Sequence, residues 1–339
     1  MMVAYFRASR VARYDLAMAP PTLPALPPAQ STAPDPSLRV HVSRYVQLEL
    51  DVPRGETMRH QLSALTGSVV AVVWSGEVTM GGAGAFGAGA GDANIYAVSV
   101  DGANTDGVDC DSARPERWRA PGRIMSCCMI GPLTRWHDNI LEGSLRSFCV
   151  HFTPLGANTL LHLRGWDLSD RSVALADLLK LPVALEARAW ADEVMHARSF
   201  AERVAATDRF LRRRLHRAAP RLDLVAAAVA RLTHADSGVD RVSALAGELA
   251  CSERTLRRRF RDELGLSVKR FARITRFQRA HAFLRGTPGA DWASAVVRFG
   301  YVDQAHLIRD YRELAGTTPA RFSADERFLD TALALRATR

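Results

Sequence analysis

Residues 242–267 read VSALAGELACSERTLRRRFRDELGLS, and residues 293–322 read ASAVVRFGYVDQAHLIRDYRELAGTTPARF; the two stretches repeat one local pattern. In the first, Val242, Leu245, Ala246 and Leu249 stand at helical spacing and make one apolar face. Ala250 and Cys251 supply a turn. Ser252 is a good N-cap, because its hydroxyl accepts from an orphan amide of the next helix's first turn. On that helix Leu256, Phe260 and Leu264 face inward, Arg254, Arg257, Arg258 and Arg261 lie on the other side, and Gly265 stops it. In the second stretch Trp292, Ala295, Val296 and Phe299 form the first helix, Gly300 the bend and Asp303 the cap. Leu307, Tyr311 and Leu314 then face the core, Gln304, Ala305, Ile308, Arg309 and Arg312 lie away from it, and Gly316 ends the helix with Pro319 beyond. An apolar helix, a tight turn and a capped second helix with polar residues outward is a helix-turn-helix, here present twice.

The residue types point to the chemistry. Arginine forks onto guanine O6 and N7 or onto phosphate, and glutamine pairs with adenine. Arg254, Arg257, Arg258, Arg261, Gln304, Arg309 and Arg312 are therefore the expected DNA contacts. A solvated face is the bland alternative for any charge run; a turn, a cap and a partner helix at both places weigh against it. His306 borders the buried stripe and reads as a structural histidine rather than a base reader. Between the units Phe271, Ile274, Phe277 or Gln278, His281 and Leu284 trace a helical stripe, with Lys269, Arg270, Arg273, Arg276 and Arg279 around it. A helix of about 19 residues is about 28 Å long, enough to hold two recognition helices near one turn of DNA apart, about 34 Å. One chain is expected to read two successive major-groove segments over an asymmetric site of roughly 15–20 base pairs.

The blocks VSALAGELACSERTLRRRFRDELGLSVKRF, RITRFQRAHAFL and RFGYVDQAHLIRDYRELAGTTPARF, in that order, closely resemble the DNA-binding domain of the AraC/XylS family of transcription regulators. The resemblance covers close to a third of the chain. It implies a bipartite helix-turn-helix domain that controls transcription, with double-stranded DNA as partner and RNA polymerase as a further one in an activator. By position Arg254, Arg257 and Arg258 match the groove-facing places of the first unit, and Gln304 and Arg309 those of the second. Ala305 departs from some relatives, which carry a polar side chain there, and this weakens any base reading at that position.

The remainder of the chain is consistent with a polyanion partner. At 339 residues there is room for two or three domains, and 47% hydrophobic with 24% charged residues is ordinary for a soluble globular protein. The net charge is +9, and residues 221–322 carry 18 Lys and Arg against 11 Asp and Glu, so most of the excess sits in the helix-turn-helix part. Cys110, Cys127, Cys128, Cys149 and Cys251 are odd in number and form no C-x-x-C, which reads as reduced thiols. No run of 18 apolar residues exists, and Arg7, Arg10 and Arg13 interrupt any secretory core. The expectation is a cytoplasmic, nucleoid-associated protein with no membrane partner.

The fold class expected is α+β and multidomain, in five parts. Residues 1–37, crowded with prolines, form an extended or disordered leader; 38–165 a β-rich domain, barrel- or sandwich-like; 166–220 a helical connector; 221–323 the DNA-binding domain; 324–339 a tail. Tyr45 to Leu50 alternates apolar and polar, and Val69 to Trp74 is near-continuous and β-branched, as in a strand buried on both faces. Ile95–Val100, Met125–Ile130 and Arg146–Phe152 are further strands, and Gly81–Gly91 a glycine-rich loop without a phosphate-loop signature. Residues 148–179, FCVHFTPLGANTLLHLRGWDLSDRSVALADLL, resemble the N-terminal sensor-like domain of one subset of AraC-type regulators, with Pro154, Leu155 and Gly156 displacing the usual turn glycine. Residues 182–217 read as helices with a broken apolar stripe, expected to pack on their own domain rather than on a second chain; a homodimer is left open.

No G-x-S-x-G or Cys–His nucleophile signature occurs, so no enzyme is expected. His137, Asp138, His151 and His162 lack the spacing of a strong metal motif, so neither metal nor cofactor is expected. A small-molecule effector at the N-terminal domain is the expected regulator, and Trp74, Trp118, Trp136 and Tyr96 are its candidate pocket or, equally, core. The alternatives are an effector-independent architectural DNA-binding protein, or a DNA-binding domain fused to an enzyme.

Overall fold

The computed structural model describes residues 29–53, 58–81, 96–100, 127–163, 165, 168–218, 224–234, 242–287 and 290–319. The N-terminal part is an antiparallel sheet of β1 (Gln30–Thr32), β2 (Val42–Asp51), β3 (Met58–Leu62), β4 (Val69–Gly81), β5 (Tyr96–Val100), β6 (Cys127–Ile130), β7 (His137–Phe152) and β8 (Ser172–Ala174). Its path runs β1-β2-β7-β4-β6-β8, with β3 on β7 and β5 on β4. β7 pairs with β4 along most of its length and on its other edge serves two partners in turn, β3 along residues 137–141 and β2 along 144–152, with Gly143 at φ 70° between them. The described pairings thus form one sheet with β1 and β8 at the ends of its path.

Both faces of this sheet are apolar, which is why residues 69–74 read as a continuous run. Tyr45, Val70, Val72, Met129, Phe148 and Val150 point to one face, and Val46, Val69, Ala71, Val73, Cys128 and Cys149 to the other, in the period of two that a pleated strand imposes. Against the first face pack α3 (Leu181–His196) and α4 (Phe200–Arg217), whose Trp190 and Phe210 stack at 5.1 Å between ring centroids. Ser199 caps α4 by accepting from the Glu202 amide. The buried Arg203 joins the layers: Nη1 donates to Gln47 Oε1 on β2 at 3.1 Å, Nε to the Val194 carbonyl at 3.2 Å, and the guanidinium lies 4.5 Å from the Trp74 ring centroid.

Residues 166–220, expected as a helical connector packed on its own domain, also carry a strand: β8 lies inside that span and pairs with β6, α2 (Leu175–Leu178) follows it, and Ala187, Trp190, Ala191, Val194, Ala206, Phe210 and Leu211 share the sheet's own core. A strand of three residues is too short for its alternation to be read from the sequence. The proline-rich leader differs as well. Its C-terminal end is ordered, with β1 paired to β2 and a 3-10 turn at Pro36–Leu38 capped by Asp35; residues 1–28 lie outside the described residues, as do Gly82–Gly91, Trp118, Cys110 and the tail. The turn at Thr153 leads into α1 (Gly156–Leu161), where a Cβ on Gly156 would meet the His41 carbonyl oxygen.

The C-terminal part is helical: α5 (Leu224–His234), α6 (Val242–Glu248), α7 (Glu253–Leu264), α8 (Val268–Gly286), α9 (Trp292–Arg298) and α10 (Gln304–Ala315). It holds two cores. α5, α6, α7 and the start of α8 enclose Val225, Leu245, Leu256, Phe260 and Phe271; the rest of α8 with α9 and α10 encloses Ile274, Phe277, Ala295, Leu307 and Tyr311. The 19-residue α8 is the beam between them. α5, which the sequence reading left unassigned, supplies the first core with an alanine-rich face.

Candidate nucleic-acid interface

Each unit is assembled by the same local chemistry. The Ser252 hydroxyl accepts from the Thr255 amide at 3.1 Å and opens α7; the Asp303 carboxylate accepts from the His306 amide at 2.6 Å and opens α10. Both helices end on a glycine in the left-handed region, Gly265 at φ 70° and Gly316 at φ 72°, where a side chain would be strained. Leu256, Phe260 and Leu264 on α7, and Leu307, Tyr311 and Leu314 on α10, are buried. Ahead of α9, Asp291 and Ser294 form a capping box, each accepting from the other's backbone amide.

The side chains expected to meet DNA are all exposed: Arg254, Arg257, Arg258 and Arg261 on α7, and Gln304, Arg309 and Arg312 on α10. Arg257 is tied to Glu253 one turn back at 2.6 Å. Arg254, Arg258, Arg261, Arg309 and Arg312 make no ion pair among the described residues. Ile308 is half-buried. His306 packs its ring edge-on against Tyr301 at 5.1 Å, and burial, only partly offset by the Asp310 carboxylate, lowers its pKa.

Several arginines of α8 do something else. Asp310, fully buried on α10, accepts from Arg273 Nε at 2.7 Å and has Arg276 Nη2 at 3.6 Å. Glu313, one turn on, binds Arg273 at 2.6 Å and Arg270 at 2.6 Å. The Arg276 guanidinium also lies 4.6 Å from the Tyr301 ring centroid. These charges fasten the beam to the second recognition helix. Sequence reasoning missed Asp310; the available signal was an acid three residues after Leu307 and four before Leu314, on the buried stripe, beside a helix with arginines every third residue.

The C-terminal ends of both recognition helices rest on the sheet domain. At α7, Ser169 Oγ donates to the Gly265 carbonyl at 2.8 Å, Asn158 Nδ2 to the Glu263 carbonyl at 3.4 Å, and a Cβ on Gly265 would stand 2.2 Å from the Gly165 carbonyl oxygen. At α10, the Ala64 amide donates to the Leu314 carbonyl at 2.7 Å, the Gln278 side-chain amide donates to the Ala64 carbonyl at 3.2 Å, and a Cβ on Gly316 would stand 2.5 Å from the Trp136 ring. Orphan carbonyls at a helix end need donors, and a neighbouring domain supplies them here. The two seats are themselves linked: Asp170 accepts from the Thr134 amide and hydroxyl, each at 2.6 Å, and Leu65 bridges Leu133. Trp136, a candidate pocket wall in the sequence, is therefore part of a seat.

The histidines weighed as metal ligands sit apart in role. His137 Nε2 lies 3.5 Å from Asp170, and His162 is the exposed left-handed C-cap of α1. His151 is on β7, its pKa pushed down to about 3 by burial and by the Arg44 guanidinium. Among the described residues no group of three or more metal-ligating side chains occurs. Burial pushes the Cys149 thiol up to about 12, and burial also raises Cys127 and Cys128, the opposite of a reactive thiolate. Among the described residues no helix is long and apolar enough to cross a membrane.

A family model described as "Helix-turn-helix domain" matches residues 245–325. The C-terminal segment thus holds a helix-turn-helix domain. The matched domain begins within α6 and covers both recognition helices. Solved structures similar to this chain include ToxT from Vibrio cholerae, at 8% identity and TM-score 0.46, covering 83% of this chain and 98% of that one. ToxT bound to an unsaturated fatty acid is similar at 9% identity and TM-score 0.46, covering 82% and 94%. The AraC-like transcriptional activator CuxR is similar at 14% identity and TM-score 0.26, covering 70% and 78%. No curated protein matches the chain.

Proposed function

We propose that the protein is a sequence-specific DNA-binding transcription regulator whose N-terminal domain governs the two reading heads by direct contact. One observation carries this. Both recognition helices leave their N-terminal ends and arginine faces open, while their C-terminal ends are seated on the sheet domain. In helix-turn-helix proteins the N-terminal residues of the recognition helix meet the bases, so seating the other end leaves reading possible and sets where each head points. A small-molecule effector that shifts the loops at Ala64, Trp136 or Ser169 alters both heads together. Arg254, Arg257, Arg258, Arg261, Gln304, Arg309 and Arg312 are the DNA contacts of this reading, with RNA polymerase a further partner where the protein activates. The functional division falls after α4, the sheet with α1 to α4 forming the sensor and the residues from α5 onward the reader, in the cytoplasm on the nucleoid.

The test is genome-wide mapping of sites bound by the tagged full chain, with a salt titration on the best site. The expected result is an asymmetric motif of two boxes about one helical turn apart, with affinity falling steeply as salt rises. Diffuse occupancy without a motif, with and without metabolite extract, would overturn the regulator reading.

A further inference from the structure

The two recognition helices superimpose on their caps in sequence but not in chemistry. Counting from the caps Ser252 and Asp303, Arg258 matches Arg309 and Arg261 matches Arg312. The positions nearest the N-terminal end do not match. Glu253 and Arg254 on α7 correspond to Gln304 and Ala305 on α10, and Arg257 corresponds to Ile308. Just before the second cap stands Val302, 84% exposed and the most exposed large apolar side chain among the described residues.

These differences fall where readout occurs, at the end of the helix that meets base edges. On α7 the Glu253 carboxylate is occupied by Arg257, which leaves Arg254 as the open side chain of the first turn. Its guanidinium donates in a fork that matches guanine O6 and N7. On α10 the Asp303 carboxylate serves as the cap, accepting from the His306 amide through Oδ1. The open groups are the Gln304 amide, which matches adenine N6 and N7, and the Val302 and Ala305 side chains, which have only apolar surface to offer and match the thymine methyl group. The shared Arg258/Arg309 and Arg261/Arg312 pairs lie further along each helix and suit the phosphate backbone, which is the same in every sequence.

We infer that the two heads read boxes of different composition: a G·C-centred box under α7 through Arg254, and an A·T-centred box under α10 through Gln304, Ala305 and Val302. This rests on the DNA-binding reading above and adds what each half of the site must contain. Ala305, which removes a hydrogen-bonding reader, is on this account a reader of a different group.

The experiment is selection of bound duplexes from a random pool by the full chain, followed by single-group replacement within the selected site. Replacing the box-one guanine with 7-deazaguanine removes the N7 acceptor and is expected to weaken binding about five-fold or more. Replacing box-two thymine with uracil removes one methyl group and is expected to weaken it about four-fold, the weight of one buried methyl-sized group. Arg254→Ala should abolish the first sensitivity and leave the second. Ala305→Arg, an exposed change that gives α10 the side chain α7 carries, should move the box-two preference from A·T to G·C. Two boxes of the same composition, or an Ala305→Arg protein that selects an unchanged box two, would overturn this inference and leave the regulator reading standing. Selection of no sequence at all would remove the regulator reading and this inference with it. Circular dichroism of both variants, matching that of the parent chain, shows that each is folded.

Discussion

The first reading head is held by shape and the second by charge. α7 meets its neighbours through Leu256, Phe260 and Leu264, with Phe260 edge-on to Phe271 at 5.3 Å, and its ion pairs with Glu253 and Glu263 run along its own surface. α10 drives Asp310 into the core against Arg273 and Arg276 of the beam and adds Glu313 outside them. Apolar packing tolerates small rotations, whereas a carboxylate between two guanidiniums fixes both distance and direction. The second head is thus pinned to α8 and the first only packed on it. The difference also warns against counting arginines as DNA contacts, since at least Arg270, Arg273 and Arg276 are occupied within the protein.

The sharpest way to break the comparison is Asp310→Ala. It leaves two guanidiniums facing a buried void and is expected to cost about 3–5 kcal/mol, read as a lowered denaturant midpoint for α9 and α10. A loss under about 1 kcal/mol, the range of a surface pair, would show that the second head is held by its apolar contacts alone. Next in size come the cap-equivalent arginines. Arg309→Ala is expected to lower affinity evenly over all sequences and to reduce the salt slope by about one, as loss of a backbone contact does; a loss of about 1–3 kcal/mol confined to the specific site would make it a base reader instead. Arg258→Ala should behave like Arg309→Ala, because the two occupy the same place after the cap; unlike effects would mean that the heads enter the groove at different depths.

The caps differ by a smaller amount. Ser252→Ala and Asp303→Ala should each cost about 1 kcal/mol, the usual weight of an N-cap hydrogen bond. The Asp303 loss should be the larger, because a full negative charge also meets the positive end of the helix dipole, worth about 0.3–1 kcal/mol at low salt. Asp303→Ser, which keeps the acceptor and removes the charge, isolates that extra part. If the excess persists unchanged in high salt it is not electrostatic.

The helical half of this chain was legible because its rules are local. Ser252, Gly265, Asp303 and Gly316 each announce a helix end within a few residues, and the bounds of α7 and α10 follow from them. The sheet was legible only as strands. Nothing near β7 says that its two halves pair with β2 and β3, and nothing near residues 172–174 says that a three-residue strand closes onto β6. The candidate interface divides in the same way. Its exposed arginines and Gln304 could be named from one helix at a time. The seats at Ala64, Trp136 and Ser169 join residues about 100 to 250 positions apart and carry no local signature. Asp310 falls between: its place on the buried stripe was readable, but its partners were not.

Acid should separate the two heads by the smallest margin. The Arg273 and Arg270 guanidiniums hold the Glu313 carboxyl below its ordinary value of 4.5. Around that pH the unfolded chain then binds more protons than the folded one, so the stability that this carboxylate contributes is complete above 4.5 and declines as pH falls through the lowered folded value. Glu313 is 44% exposed, so solvent screens the effect, and only a modest loss is expected. No such carboxylate cluster joins α7 to α8 among the described residues. Amide protection in α10 should therefore fall relative to α7 as pH drops from about 5 through 4.5 and below, after correction for intrinsic exchange. Glu313→Gln should remove that difference, because it keeps a hydrogen-bond acceptor for Arg273 but can no longer titrate. Parallel decline of both helices in both proteins would mean that the surface half of the cluster adds nothing to Asp310.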